Sequence, residues 1–268
     1  MKSKKHLSRR NFLGAAALTS IAIPLTQNSS QAKESPNHSI STSQSVVSDE
    51  KSNLLIAILL YDELTALDAI GPYEVLTNIP GAKVLFVAEK PGAVSVDTRE
   101  LALVAQAKFS DVTQPDVIVV PGGSYGTKAA TANERLLEWI RTAHASSRWT
   151  TSVCTGSLIL GAAGLLKELN ATTHWASSDY LNKFGAKYVP ERFVRQGEIV
   201  AAAGVSAGID MSLFLAGEIG GSDVARAIQL AIEYDPHPPF DSGSPRKASK
   251  ETIELMRRLL GKRTGRNL

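Results

Sequence analysis

The chain has 268 residues, with 29 Lys plus Arg against 26 Asp plus Glu, and a single cysteine. Five of the basic residues (Lys2, Lys4, Lys5, Arg9 and Arg10) precede Ala32 with no acidic residue among them, leaving 24 basic against 26 acidic, so the remainder is near neutral and neither nucleic acid nor an anionic surface is an expected partner. One cysteine excludes an internal disulfide, and the absence of Walker, GxGxxG, HExxH and paired CxxC patterns leaves no cofactor and no metal to expect.

The basic start leads into an apolar stretch from Phe12 to Leu25 and then the small-residue sequence Ser30-Gln31-Ala32, the order of an export signal. Within it, Ser8-Arg9-Arg10-Asn11-Phe12-Leu13 matches the twin-arginine pattern, so residues 1–32 are expected to address the chain through the twin-arginine translocase to the periplasm. The apolar stretch is about fourteen residues, short of the roughly 20 that span a bilayer, so no stable membrane anchor is expected. Residues 33–52 are rich in Ser, Thr, Asn and charge and read as a disordered linker. The rest is read as one α/β domain over 53–245 and a C-terminal helix and tail over 246–268.

Asn53 to Tyr61 is a continuous apolar run, the look of a buried parallel strand. Asp62 to Gly71 reads as a connection, and Pro72 as the first turn of a helix through Tyr73-Glu74-Val75-Leu76. Asp68 sits in that connection between Leu67 and Ala69-Ile70; desolvated, its carboxyl would have a raised pKa suited to a proton donor, whereas exposed it would only cap the helix or face water. Lys83 to Ala88 is a second strand, and Val94 to Asp97 with Leu101 to Val104 form a hairpin around Thr98-Arg99-Glu100. The apolar Val117 to Val120 ends in Pro121-Gly122-Gly123, where glycines let backbone amides approach a ligand.

Asn133 is placed to cap a helix whose Leu136, Leu137, Trp139, Ile140 and Ala143 form one apolar stripe. The run Trp149 to Val153 then meets a corner at Cys154-Thr155-Gly156-Ser157 before a helix through Leu158 to Leu166. Strand, one-residue corner and helix make a nucleophile elbow, at which the helix dipole would lower the thiol pKa; a small buried core cysteine fits the same local pattern. His174, in Thr172-Thr173-His174-Trp175, is a secondary candidate base ahead of an amphipathic helix near Tyr180-Leu181-Phe184. Three short strands (Lys187 to Val189, Phe193 to Arg195, Glu198 to Ala201) precede a helix opening at Ala207-Gly208-Ile209-Asp210, another begins at Ser222, and a last covers Thr252 to Leu260. Strands alternating with helices imply a doubly wound sheet, which gathers Asp68, Gly123 and Cys154 at the carboxyl ends of the strands.

Four segments carry a resemblance to the ThiJ/PfpI superfamily, and within it to the isonitrile hydratase family. They are Leu67-Asp68-Ala69-Ile70-Gly71-Pro72-Tyr73-Glu74-Val75-Leu76; Val120-Pro121-Gly122-Gly123; Thr151 to Ser157 with Ala171 to Trp175; and Ala207-Gly208-Ile209-Asp210 continuing from Gln229 through Pro236 to Pro245. The resemblance implies a flavodoxin-like, mostly parallel sheet with helices on both faces, a homodimer, and metal-free hydration of small-molecule isonitriles to N-substituted formamides. It implies Cys154 as nucleophile, Asp68 as its acidic partner and Thr155 as the hydroxyl that follows the nucleophile, while the glutamate found in other branches is replaced by Asp68. A histidine follows the cysteine in protease-like relatives, so Thr155 points away from a peptidase. Gly122, Gly123, Gly156 and His174 are the expected substrate- and oxyanion-binding positions. Ala201-Ala202-Ala203-Gly204 stands where the family is richer in glycine, and its methyls are expected to narrow the pocket. The same domain serves as a non-catalytic ligand sensor in regulators fused to DNA-binding helices, and a glyoxalase-like or redox stress role would use the same thiol; the short chain beyond Pro245 and the export signal weigh against the sensor.

Overall fold

The structure, a computed structural model, describes residues 54–263. The signal expected at 1–32 and the linker expected at 33–52 lie outside those residues.

The apolar runs become the strands of one sheet for a simple reason: both of its faces are covered. In β1 (Leu54–Leu59), Ile56 and Ile58 point into one core while Ala57 and Leu59 point into the other, the two-residue alternation of a strand buried on both sides. β6 (Val117–Val120) repeats it, with Val117 and Val119 on one face and Ile118 and Val120 on the other. With β2 (Ala82–Ala88), β5 (Ala107–Lys108), β7 (Trp149–Val153), β10 (Phe193–Gln196) and β11 (Ile199–Ala202), they form a seven-stranded sheet ordered β10-β11-β7-β6-β1-β2-β5. Every pairing is parallel except β10 with β11 at the edge. β3 (Gly92–Ser95) and β4 (Ala102–Ala105) form a separate antiparallel hairpin, set two residues earlier in its first strand than the sequence suggests. The expected strand at Lys187 is only a two-residue ribbon, in which β9 (Lys187–Tyr188) pairs with β8 (Asn170–Ala171) outside the main sheet.

One core lies beneath α1 (Ala66–Leu76) and α6 (Ala207–Gly220), the other beneath α3 (Glu134–His144) and α4 (Gly156–Ala162), so the sheet is doubly wound with helices on both faces. Asn133 caps α3 as its position predicts, its side chain accepting from the Arg135 and Leu136 amides. α2 (Tyr125–Ala130), β5 and β8 escaped the sequence reading. α7 (Ser222–Ala231) and α8 (Lys250–Arg263) follow α6, and the amphipathic helix near Tyr180 is α5 (Ser178–Leu181) with short 3-10 turns on either side.

One boundary is corrected. Pro72 does not begin the first helix but lies inside α1, which starts at Ala66, so Asp68 stands in a helical first turn and not in a connection. A proline there costs a hydrogen bond to the carbonyl four residues back, yet burial of Ala69, Val75 and Leu76 holds the helix together. Because chain order places β2 on one side of β1 and β6 on the other, the strand order reverses between β1 and β6, the place where ligands bind in open α/β sheets.

Candidate active site

Three chain segments leave the sheet at this rim: Pro121 to Gly123 after β6, the corner at Cys154 after β7, and Ala203 to Ser206 after β11. Cys154 has φ +58°, a left-handed conformation that costs a non-glycine residue about 1–3 kcal/mol and persists only when its surroundings fix it. Here they do. Its amide donates to the carbonyls of Ala203 (2.7 Å) and Ala202 (3.1 Å), while its own carbonyl accepts from Thr173 Oγ1 (3.1 Å) and Ser157 Oγ (3.2 Å). The elbow expected from the sequence is therefore present, and it leaves Cys154 only 6 % exposed.

α1 brings Asp68 to the thiol from the side. The carboxyl is fully buried; Oδ2 accepts from the Gly122 amide at 3.0 Å, and Oδ1 finds no well-aligned hydrogen-bond donor among the described residues. The thiol lies near enough to couple to the carboxyl electrostatically. Burial pushes the Asp68 carboxyl up to about 7 against the pull of the Gly122 amide and the thiol. Cys154 is corrected: its pKa does not fall. Burial, then the neighbouring Asp68, push the thiol well above its usual range, and the amides of Thr155 and Val205 only partly offset this. Desolvation of a fully buried group outweighs the field of a short helix end. Near neutral pH the sulfur thus keeps its proton, while the Asp68 carboxyl passes between its acid and carboxylate forms.

The glycines act differently from their expected role. The Gly122 amide serves Asp68 and the Gly123 amide donates to Thr155 Oγ1 at 3.0 Å, so neither is aimed at a substrate oxygen. A methyl at Gly122 would stand 2.5 Å from the Thr155 nitrogen, and one at Gly156 would stand 2.0 Å from the Val120 carbonyl oxygen; both glycines let the elbow press against the end of β6. The amides at the sulfur are those of Thr155 and Val205, and Val205 was not anticipated. His174 is half-buried, with Nδ1 accepting from the Ala176 amide at 3.3 Å; burial lowers its pKa, so the ring is neutral, and its Nδ1 is occupied and not free to serve the thiol as a base. The expected narrowing by Ala201 and Ala202 is also corrected: Ala201 is buried in one core and Ala202 in the other, leaving only Ala203 and Gly204 half-buried beside the site.

The Thr155 hydroxyl belongs to a buried network. It donates to the Gly123 carbonyl at 2.8 Å and meets Thr127 Oγ1 at 2.8 Å. Tyr61 Oη donates to the Pro121 carbonyl at 2.9 Å and lies 3.2 Å from Thr127 Oγ1. Two open surface grooves, of about 550 and 380 Å³, lie elsewhere, along Phe109 and Arg135 and between α6 and α7, and neither contains a buried ionisable pair. Among the described residues no cluster of three or more His, Cys, Asp or Glu could hold a metal, and no helix is long and apolar enough to cross a membrane.

The family model described as DJ-1/PfpI matches residues 55–217. The isonitrile hydratase of Pseudomonas putida is 44% identical over 205 residues, covering 76% of this chain and 89% of that protein. A crystal structure of a ThiJ/PfpI family protein from Pseudomonas syringae superposes with a TM-score of 0.75 at 39% identity, covering 79% of this chain and 87% of the other. Drosophila melanogaster DJ-1beta, at 18% identity and a TM-score of 0.62 over 67% of this chain and 97% of its own, shares the fold.

Proposed function

The chain belongs to the DJ-1/PfpI family, and from that membership we propose that it is a cysteine-dependent hydratase converting small isonitriles, R–NC, to N-substituted formamides. The observation that carries the reading is the pair of Cys154 and Asp68, a thiol and a carboxyl buried side by side and electrostatically coupled. An isonitrile carries no net charge, and its terminal carbon takes both a nucleophile and a proton. Such a substrate enters a desolvated site without the cost of burying a charge, and needs a thiol and a proton carrier at one atom.

The steps balance as follows. Asp68 carboxylate takes the thiol proton as sulfur attacks the terminal carbon, with the Thr155 and Val205 amides supporting charge on sulfur. Asp68 then delivers that proton to the same carbon, giving the thioimidate R–N=CH–S on Cys154. Water adds to this carbon, with Asp68 taking one of its protons and passing it to nitrogen. The remaining hydroxyl proton moves to Asp68 as the C–S bond breaks, releasing R–NH–CHO; the proton then returns to sulfur and the pair is restored.

With a simple alkyl isonitrile, wild type is expected to form the formamide and Cys154→Ala to give only the background. Asp68→Asn should lose at least roughly 100-fold while keeping an alkylatable thiol. Equal formamide from wild type and Cys154→Ala removes the hydratase reading. Because the base form of Asp68 starts the reaction, kcat/KM should fall as pH drops through about 7, a value belonging to the pair and not to one residue.

A further inference from the structure

One buried hydroxyl joins the two backbone segments between which the reactive pair is held. Thr127, on α2, is 3 % exposed and its Oγ1 has three oxygen neighbours: the Gly123 carbonyl at 2.7 Å, Thr155 Oγ1 at 2.8 Å and Tyr61 Oη at 3.2 Å. Gly123 belongs to the turn whose preceding amide, that of Gly122, holds Asp68 Oδ2. Thr155 is the residue whose own amide supports the sulfur. A hydroxyl has one proton and two lone pairs; the Thr127 proton goes to the Gly123 carbonyl or to Thr155 Oγ1, and an apolar side chain of the same size removes this bridge between the two segments.

We propose that Thr127 is a positioning residue for the Cys154–Asp68 pair, setting through Gly123 the amide on the carboxyl and through Thr155 the amide on the sulfur, with Tyr61 as its support. Thr127 touches neither reacting atom. The turn after β6 is bonded on its far side by the residue preceding α1, Thr65, whose amide donates to the Gly122 carbonyl at 2.8 Å, so the hydroxyl contacts fix the side that this backbone bonding leaves open. Losing the hydroxyl loosens both amides at once, and both stabilise an anion. The pH at which the pair yields a reactive sulfur therefore rises.

The proposal takes the pair from the hydratase reading, so its test has a readout that needs no isonitrile. The full chain is compared as wild type, Thr127→Val and Thr127→Ser by the rate of Cys154 alkylation with iodoacetamide against pH. Thr127→Val should move the midpoint upward and slow alkylation at pH 7 roughly tenfold, the effect of a lost buried hydrogen bond; Thr127→Ser should restore both. With an isonitrile, kcat should fall by a similar factor while KM stays within about twofold. A wild-type midpoint and rate in folded Thr127→Val overturn the proposal, as does failure of Thr127→Ser to recover them. Should the valine variant not fold, Tyr61→Phe, which keeps the Thr127 hydroxyl, is expected to shift the midpoint in the same direction by a smaller amount, and an unshifted profile there overturns it as well. If wild type hydrates no isonitrile, the hydratase reading fails while the alkylation profile still decides the role of Thr127.

Discussion

The thiol stands between two backbone walls of different construction. The wall after β6, Pro121 to Gly123, is buried and bonded on both sides, to Asp68 of α1 and the preceding Thr65 and to the hydroxyls of Tyr61, Thr127 and Thr155. The wall after β11, Ala203 to Ser206, is partly exposed. It contributes the Val205 amide and is tied down at the surface, where Arg192 pairs with Asp210 and donates to Ser206 Oγ. The difference teaches that the carboxyl half of the site is fixed by interior packing that solvent does not screen. The second sulfur donor rests on contacts that water and salt weaken.

A methyl probes the two walls directly. At Gly122 it would meet the backbone nitrogen of Thr155 at 2.5 Å and Asp68 Oδ2 at 3.0 Å, whereas at Gly204 its nearest neighbour is Cδ2 of His174 at 2.9 Å, a side chain able to turn aside. Gly122→Ala is expected to cost about 1–3 kcal/mol or more and to separate Asp68 from its amide. Gly204→Ala should cost well under that. Urea unfolding of the two variants measures the gap, and equal losses would erase the distinction between a rigid and a yielding wall.

The next effect separates interior from surface by pH. The Asp68 carboxyl is raised to about 7 in the folded protein from an ordinary 3.8, so the folded state holds the proton more tightly than the unfolded one. Its contribution is fully present below pH 3.8 and is lost as pH rises through about 7. The span corresponds to about 4 kcal/mol at most. Asp68→Asn, which carries no charge to bury, should flatten this part of the stability-against-pH curve between pH 5 and 8, as read by thermal unfolding. A slope unchanged by the substitution would mean that the carboxyl is solvated and that its wall is not the dry one described.

These contrasts also explain what the sequence could and could not reveal. The runs at Leu54 and Val117, the Asn133 cap and the corner at Cys154 were legible because each signal is local: two-residue burial, one side-chain oxygen, small residues at a turn. The start of α1 was not, since Pro72 is a strong local sign of a helix start and was overruled by packing of Ala69, Val75 and Leu76. Glycines at 122 and 123 announced a close approach, but not that Asp68 and Thr155 would be what approached. Val205 acts through an amide that every residue but proline possesses, so no side-chain pattern could have marked it. Thr127 stands in an unremarkable Tyr-Gly-Thr-Lys stretch whose helix itself went unforeseen. The direction of the thiol shift was misjudged because a helix end can be read from sequence, whereas full burial of the sulfur depends on α1 and on the loop after β11.

The smallest expected effect lies on the surface wall. Arg192 is 46% exposed and its partner Asp210 27%, with Tyr234 adding its hydroxyl to the cluster. An exposed ion pair contributes about 0.2–1 kcal/mol, and the backbone bond from the Ala203 amide to the Arg192 carbonyl, 2.9 Å, survives any change of side chain. Arg192→Met should therefore lower stability by less than about 1 kcal/mol and slow Cys154 alkylation at pH 7 by no more than about threefold, since it loosens Val205 and leaves Thr155 in place. High salt should reproduce part of this slowing in wild type and none of it in the variant. A loss in Arg192→Met as large as that expected for Thr127→Val would reverse the ranking, because the sulfur would then depend on the screened wall as much as on the buried one.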